Sequence, residues 1–444
     1  MATEQILDDA ATAPIPVLVQ KPKWRDTFRS LRIHNYRLYV VAQFLSNTSV
    51  WAMRIAVDWL VFELTGSITA VGITVALQFG PMLLLGPLGG VIADRYPKRR
   101  LLVGAQVITG LACATLAVLT LTGVVQVWHV YLTALLLGCV AVVESPARAV
   151  FVAEMVGHER LGNAISINAA IFHLGGLLGP AVSGALIALV GAGWAIGANA
   201  VAATVVVTAL LSMRTAELLP SRVAQRSKGQ IREGLRYVRS KPTIFWPIIM
   251  LAFVSLFGMN LPVLLVSFAD HVFETGAAGY GIYSSAAAFG ALAGAIFSAR
   301  RTTYRLRSIM LAAGFFGLAL IASGASPGAS VFMLCLAAVG FTRLQFAMTA
   351  ESIVQMSSNR VIRGRVMAVY SMVVLGGQAI GGPMMGWIAE EWGVRIAMTI
   401  SGAVPSIAAI VIAILLARSG RLSLRFRMRW RSLPITIESS RQNL

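Results

Sequence analysis

The chain is predicted to be an all-α polytopic membrane protein, with twelve transmembrane helices arranged as two pseudo-symmetric six-helix bundles. Three observations lead there. Its 444 residues are 57% hydrophobic and only 12% charged, against about 25% charged in soluble domains, and the mean hydropathy is +0.76. Apolar runs of about 20 residues, each able to cross a hydrocarbon core of about 30 Å, recur along the chain without the alternation of barrel strands. One long polar break, 214–242, leaves six such runs on either side.

Residues 1–37 open on Glu4, Asp8 and Asp9 and then turn basic. They lack the charged, apolar, small-residue order of a cleaved leader and are expected to form a cytoplasmic N-terminal segment. The first bundle (38–213) has helices expected at 38–63, 69–92, 100–122, 127–154, 162–190 and 193–213. In the linker (214–243), Ile231, Leu235 and Val238 repeat at helical spacing with Arg232, Arg236 and Arg239 one place on, predicting an amphipathic helix on the cytoplasmic membrane face. The second bundle (244–417) has helices expected at 244–270, 277–299, 306–324, 328–350, 364–389 and 395–417. In the tail (418–444), Arg421, Arg425, Arg427, Arg429 and Arg431 stand among Phe426, Met428 and Trp430, a composition suited to anionic lipid.

A net charge of +19 would point to nucleic acid in a soluble protein, but the positions of the cations exclude that reading. Nearly all of the 37 Lys and Arg fall before the first span, in alternate loops or after the last span. The intervening loops, 64–67, 123–126, 191–193, 275–279 and 323–327, hold none, and Arg395 alone is placed outside. This asymmetry predicts an even number of spans and both termini in the cytoplasm of a cell (plasma or inner) membrane. Cys113, Cys139 and Cys335 all lie in apolar runs without CxxC spacing, so neither a disulfide frame nor a zinc site is expected. There is no phosphate-binding GxxxxGK[ST] run and no catalytic constellation. The chain is read as not an enzyme, without cofactor or metal, and as a monomer in contact with lipid.

The loop after the second span carries the most specific motif. Gly90 precedes Asp94 by one helical turn, and Arg95, Lys98, Arg99 and Arg100 follow. The small residue permits close helix approach, the acid can pair or cap, and the cations hold the loop inside. Two later segments echo each other: Gly175, Gly176, Gly179, Pro180 and Gly184 in the fifth span, and Gly376, Gly377, Gln378, Gly381, Gly382, Pro383 and Gly386 in the eleventh. Their prolines, at 180 and 383, give a repeat offset of about 203 residues. Further motifs are Phe44-Leu45-Ser46-Asn47 with Trp59-Leu60-Val61-Phe62-Glu63, then Glu144 to Arg148, Glu154 to Gly157, Leu161 to Ala164, and Arg363 to Tyr370. Together these resemble the major facilitator superfamily of secondary transporters, and within it the branch of siderophore exporters and macrolide efflux permeases. Ser298 departs from the pattern where a second-half loop acid would stand, and Glu351 replaces an expected amide.

The resemblance implies a secondary active transporter, a proton-coupled exporter (antiporter) of a small apolar or amphipathic compound such as a drug, macrolide or siderophore. A lipid or nutrient transporter of the same fold, and a non-transporting receptor or scaffold, are the alternatives. Ionisable residues inside spans are functional candidates because an unpaired charge there costs several kcal/mol. Asp58 and Arg54 stand one turn apart and can pair; with Glu144 and Glu351 they are the candidates for proton coupling. Gly90, Asp94, Arg95, Arg99, Arg148, Glu154 and Arg343 are assigned to gating and the loop motif. Arg148 and Glu351, near repeat-related positions, could form a cytoplasmic latch, or each could pair within its own half. Helix packing is assigned to Gly179, Pro180, Gly184, Gly382, Pro383 and Gly386. Asn47, Trp51, His173, Asn260, Gln345 and Gln378 are cavity candidates.

Overall fold

A computed structural model of the protein describes residues 29–157, 160–219, 230–299, 306–359, 362–418, 423–426 and 435–438. The first half consists of α1 (His34–Thr65), α2 (Ile68–Arg95), α3 (Lys98–Leu121), α4 (Val127–Val156), α5 (Leu161–Val190) and α6 (Ala192–Leu211). In the second half come α7 (Pro242–Val272), α8 (Gly276–Ala299), α9 (Leu306–Gly324), α10 (Ala329–Ser357), α11 (Arg363–Trp392) and α12 (Val394–Arg418). Eleven of these twelve are long and apolar enough to cross a membrane. The exception, α1, has the length, 32 residues, but carries Arg37, Arg54, Asp58 and Glu63. It packs along α5 and α6; Asp58 is buried and Arg54 half-buried, while Arg37 and Glu63 are exposed.

Helices outrun the apolar segments that predict them. The helix expected at 38–63 begins at His34, and the one expected at 328–350 runs on to Ser357. Backbone bonding continues beyond the hydrocarbon-length stretch, so an apolar run marks a helix's middle rather than its ends.

Packing repeats between the halves. Pairs α2–α4, α3–α6 and α1–α5 recur as α8–α10, α9–α12 and α7–α11, and the halves meet through α2–α11 and α5–α8. The first turn is short because Gly66 takes φ +65°, a conformation cheap only for glycine. Ser67 then caps α2 by accepting the Ala70 N–H at 3.0 Å. Helix α7 is interrupted: π-helical turns occupy Val254–Gly258 and Phe268–Val272.

The linker helix, Gln230–Ser240, is present, but it docks on protein instead of simply lying on lipid. Val238 is buried, Glu233 pairs with Arg365 at 2.5 Å, and Tyr237 Oη accepts the Asn359 N–H at 3.3 Å. Leu235 stays exposed. In the tail, Ser423–Phe426 pairs antiparallel with Ile435–Glu438, Arg425 opposite Thr436, a short hairpin that the composition did not announce. Arg421, Arg427, Arg429 and Arg431 lie outside the described residues, as do the acids of residues 1–28.

Candidate functional site

The halves close on one another at the end bearing the α1–α2 turn. At that rim Glu390, near the end of α11, accepts from Ser67 Oγ at 2.6 Å, Thr69 N–H at 3.0 Å and Thr69 Oγ1 at 2.5 Å. An acid at a helix C-terminus opposes its own macrodipole, but here it sits on the N-terminus of α2, where negative charge is favoured. Below it, a Cβ on Gly184 of α5 would stand 2.9 Å from the Gly281 Cα of α8, and one on Gly386 would stand 2.7 Å from the Ile68 carbonyl oxygen. Gly72 and Gly382 approach in the same way. The predicted packing glycines therefore do more than pack helices within a half: Gly184, Gly382 and Gly386 form the seam between halves, while Gly179 fits α5 against Thr48 and Trp51 of α1. Pro180 offers its carbonyl to the same seam at Gly281, and Pro383 lies at the Gly72 approach.

Just inside this seam lies Asp58. It is 3% exposed, and the Tyr280 hydroxyl of the other half donates to its Oδ2 at 2.9 Å. Its Oδ1 is buried with no hydrogen-bond partner among the described residues. The expected Arg54–Asp58 ion pair is not formed, although the two charges act on each other. Arg54 instead lies over the rings of Trp51 at 5.1 Å and Phe79 at 5.4 Å. Each ring is worth about 0.5–2 kcal/mol, enough to offset much of the about 2.5–3.5 kcal/mol that an arginine costs at mid-membrane.

Charges on α4 and α10 resolve into local arrangements, not into a latch between repeats. Glu144 pairs with Arg148 one turn on and accepts from Gln106 Nε2 at 2.8 Å. Glu351 accepts from Gln355 on its own helix at 3.0 Å. Arg343 is close enough to His173 of α5 for its charge to act on the ring. At the loop motif, Lys98 reaches Glu154 at 3.8 Å. Arg99 closes the end of α6, donating to the Leu210 and Leu211 carbonyls at 2.7 and 2.8 Å. Asp94 is half-buried and Arg95 exposed. Gly90 is buried, while a close approach to α4 falls at Gly89, against the Val142 carbonyl.

Two cavity candidates are structural. Asn260 is buried and donates to the Ser255 and Leu256 carbonyls at 3.3 and 2.9 Å, filling acceptors that the interrupted α7 leaves open. Gln345 is buried between α8 and α10, donating to the Gly294 carbonyl at 2.9 Å. Trp51, His173 and Gln378 are half-buried, and Asn47 accepts from Gln43 at 3.1 Å. An apolar groove of about 650 Å³ between α8 and α10 is lined by Phe289 and Leu334, both mostly exposed; it lies apart from these charges.

The sequence reading missed Tyr280 and Glu390. A tyrosine inside a Gly- and Ala-rich helix had a signal, since a buried hydroxyl needs a partner. Glu390 had one in its unfavourable position at a helix C-terminus.

With this geometry in place, comparison with known proteins is informative. The profile of the transmembrane secretion effector family matches residues 25–438. The enterobactin exporters EntS of Shigella dysenteriae and Escherichia coli are 25% identical over 371 residues, covering 83% of this chain and 88% of theirs. Among solved structures, a bacterial homologue of the human lysosomal transporter Spinster, in an inward-facing and occupied conformation, superposes with a TM-score of 0.68 at 16% identity, covering 90% of this chain and 98% of its own. The nucleoside transporter NupG gives 0.68 at 14% identity, covering 86% and 99%. The chain is a multi-pass membrane transporter of the major facilitator superfamily, belonging to its transmembrane secretion effector family.

Proposed function

We propose that the protein is a proton-driven exporter, an antiporter that moves a small apolar or amphipathic compound outward. The observation that carries this reading is the Asp58–Tyr280 hydrogen bond, a buried acid of one half held by a hydroxyl of the other. Rocking the halves apart at this end would break that bond, so the protonation of Asp58 and the position of the halves are linked. Oδ1, unpartnered among the described residues, is the atom we assign to the exchanged proton. By the distribution of cations the closed end faces outward, which makes this arrangement inward-facing. The similarity to enterobactin exporters supports the outward direction; a siderophore, drug or macrolide is the cargo we assign.

Asp58→Asn tests this, because the amide imitates the protonated acid. In proteoliposomes, export driven by a proton gradient should vanish while substrate binding and gradient-free exchange persist. Normal gradient-driven flux in the mutant would remove Asp58 from coupling and direct attention to Glu144 and Glu351.

A further inference from the structure

Two charge pairs on spanning helices share one spacing and end differently. Glu144 and Arg148, one turn apart on α4, close into an ion pair. Arg54 and Asp58, one turn apart on α1, do not, although an unpaired charge within a span is costly. Two rings take the Arg54 guanidinium instead: Trp51, one turn back on α1, at 5.1 Å and Phe79 of α2 at 5.4 Å. Placing the acid second rather than first weakens such a pair only slightly, so the rings decide the outcome. Trp51 is itself wedged in place. A Cβ on Gly176 of α5 would stand 3.5 Å from its Cε2, one on Gly179 would stand 2.6 Å from its Cβ, and Phe172 meets the ring edge-on at 5.6 Å.

We infer that Trp51 and Phe79 are positioning residues for the proton site: they hold the Arg54 guanidinium off Asp58, so that the carboxylate keeps Tyr280 as its partner and can both gain and lose a proton. An arginine in full contact would hold the acid in its ionised form. With no cation nearby, the ionised acid would stand uncompensated in the span. Ring faces keep the charge close while the hydrogen bond to Asp58 comes from Tyr280 at 2.9 Å and Oδ1 stays unpartnered among the described residues. The titratable groups that neighbouring helices bring to this end are Tyr280 and Tyr283 of α8, Asp270 and His271 of α7, and His129 and Tyr131 of α4. Helices α2 and α6 bring none, and α5 brings only His173 at mid-helix. This inference rests on the antiport reading, in which Asp58 exchanges the proton, and adds what keeps that exchange reversible.

The test needs no substrate. Infrared difference spectra of the full chain in lipid nanodiscs, recorded against pH, carry the C=O stretch of each protonated carboxyl, and the band lost in Asp58→Asn belongs to Asp58. Phe79→Leu, and separately Trp51→Leu, should release Arg54 onto Asp58 and move the midpoint of that band at least about one unit to lower pH. Phe79→Tyr, which keeps a ring face, should titrate as the wild type does. In an Arg54→Gln background Phe79→Leu should leave the midpoint in place, which a purely structural role of the ring would not produce. An unmoved midpoint in either folded Leu variant, an equal shift without Arg54, or the same shift in Phe79→Tyr would overturn the assignment. So would a wild type whose spectra show no protonated Asp58 at any pH at which it is folded, a result that needs neither Leu variant. If the midpoint moves as expected while Asp58→Asn keeps gradient-driven export, the antiport reading fails and the ring clamp stands. If that export is lost and the midpoint ignores both rings, this inference alone fails.

Discussion

Tyr280 and Asp58 show how one hydroxyl acquires a role far beyond its helix. Tyr280 is fully buried, and among the described residues its hydroxyl is satisfied by the carboxylate across the seam at 2.9 Å. Hydrogen bonds to charged groups are worth about 1.5–3 kcal/mol. Tyr280→Phe keeps the ring and removes that bond, so gradient-driven flux at matched abundance should fall by about tenfold or more. Flux equal to wild type would show that Asp58 works without its cross-half partner. Arg54 teaches the complementary lesson: one-turn spacing suggested a pair with Asp58, yet the aromatic faces of Trp51 and Phe79 took the guanidinium.

At the scale of elements, α5 and α8 meet where neither has a side chain. Gly184 and Gly281 bring the backbones so close that an added Cβ on Gly281 would stand 2.7 Å from the Gly184 Cα, closer than real Cβ contacts allow. Gly184→Val should prevent closure at this end and shift the population toward the state open there. A cysteine introduced at Ser67 should then react faster with a membrane-impermeant thiol reagent added from outside, in a background lacking the native cysteines, while transport falls. Unchanged labelling would show that the seam tolerates the bulk. Small residues on one helix face are common in plain packing, which is why the sequence identified Gly184 as a packing residue without revealing that it joins the halves.

For the whole molecule, the alternate loading of loops with Lys and Arg predicts topology independently of any contact. Reporter fusions at Gln20 and Leu444 should both report the cytoplasm; opposite sides would refute the even-span arrangement and invert the direction assigned to the closed end. The repeat offset between Pro180 and Pro383 is matched by the recurrence of helix pairs in both halves. In the proposed rocking of the two halves, the rim latch of Glu390 on Ser67 and Thr69 belongs to one of the two end states.

Taken alone, the sequence determined the helical class, the two sets of six spans and the linker helix, because hydrophobic length and charge placement act locally or on the whole bilayer. It also identified Asp58, Arg343, His173 and Trp51 as worth attention, since polar groups inside spans are costly wherever they face. Only the tertiary structure decided what each one faces. Tyr280 for Asp58, Ser67 and Thr69 for Glu390, and the internal duties of Asn260 and Gln345 are set by helix rotation and by contacts between segments distant in sequence. Hydropathy is nearly blind to rotation in a helix apolar all round, because lipid and protein neighbours are equally apolar.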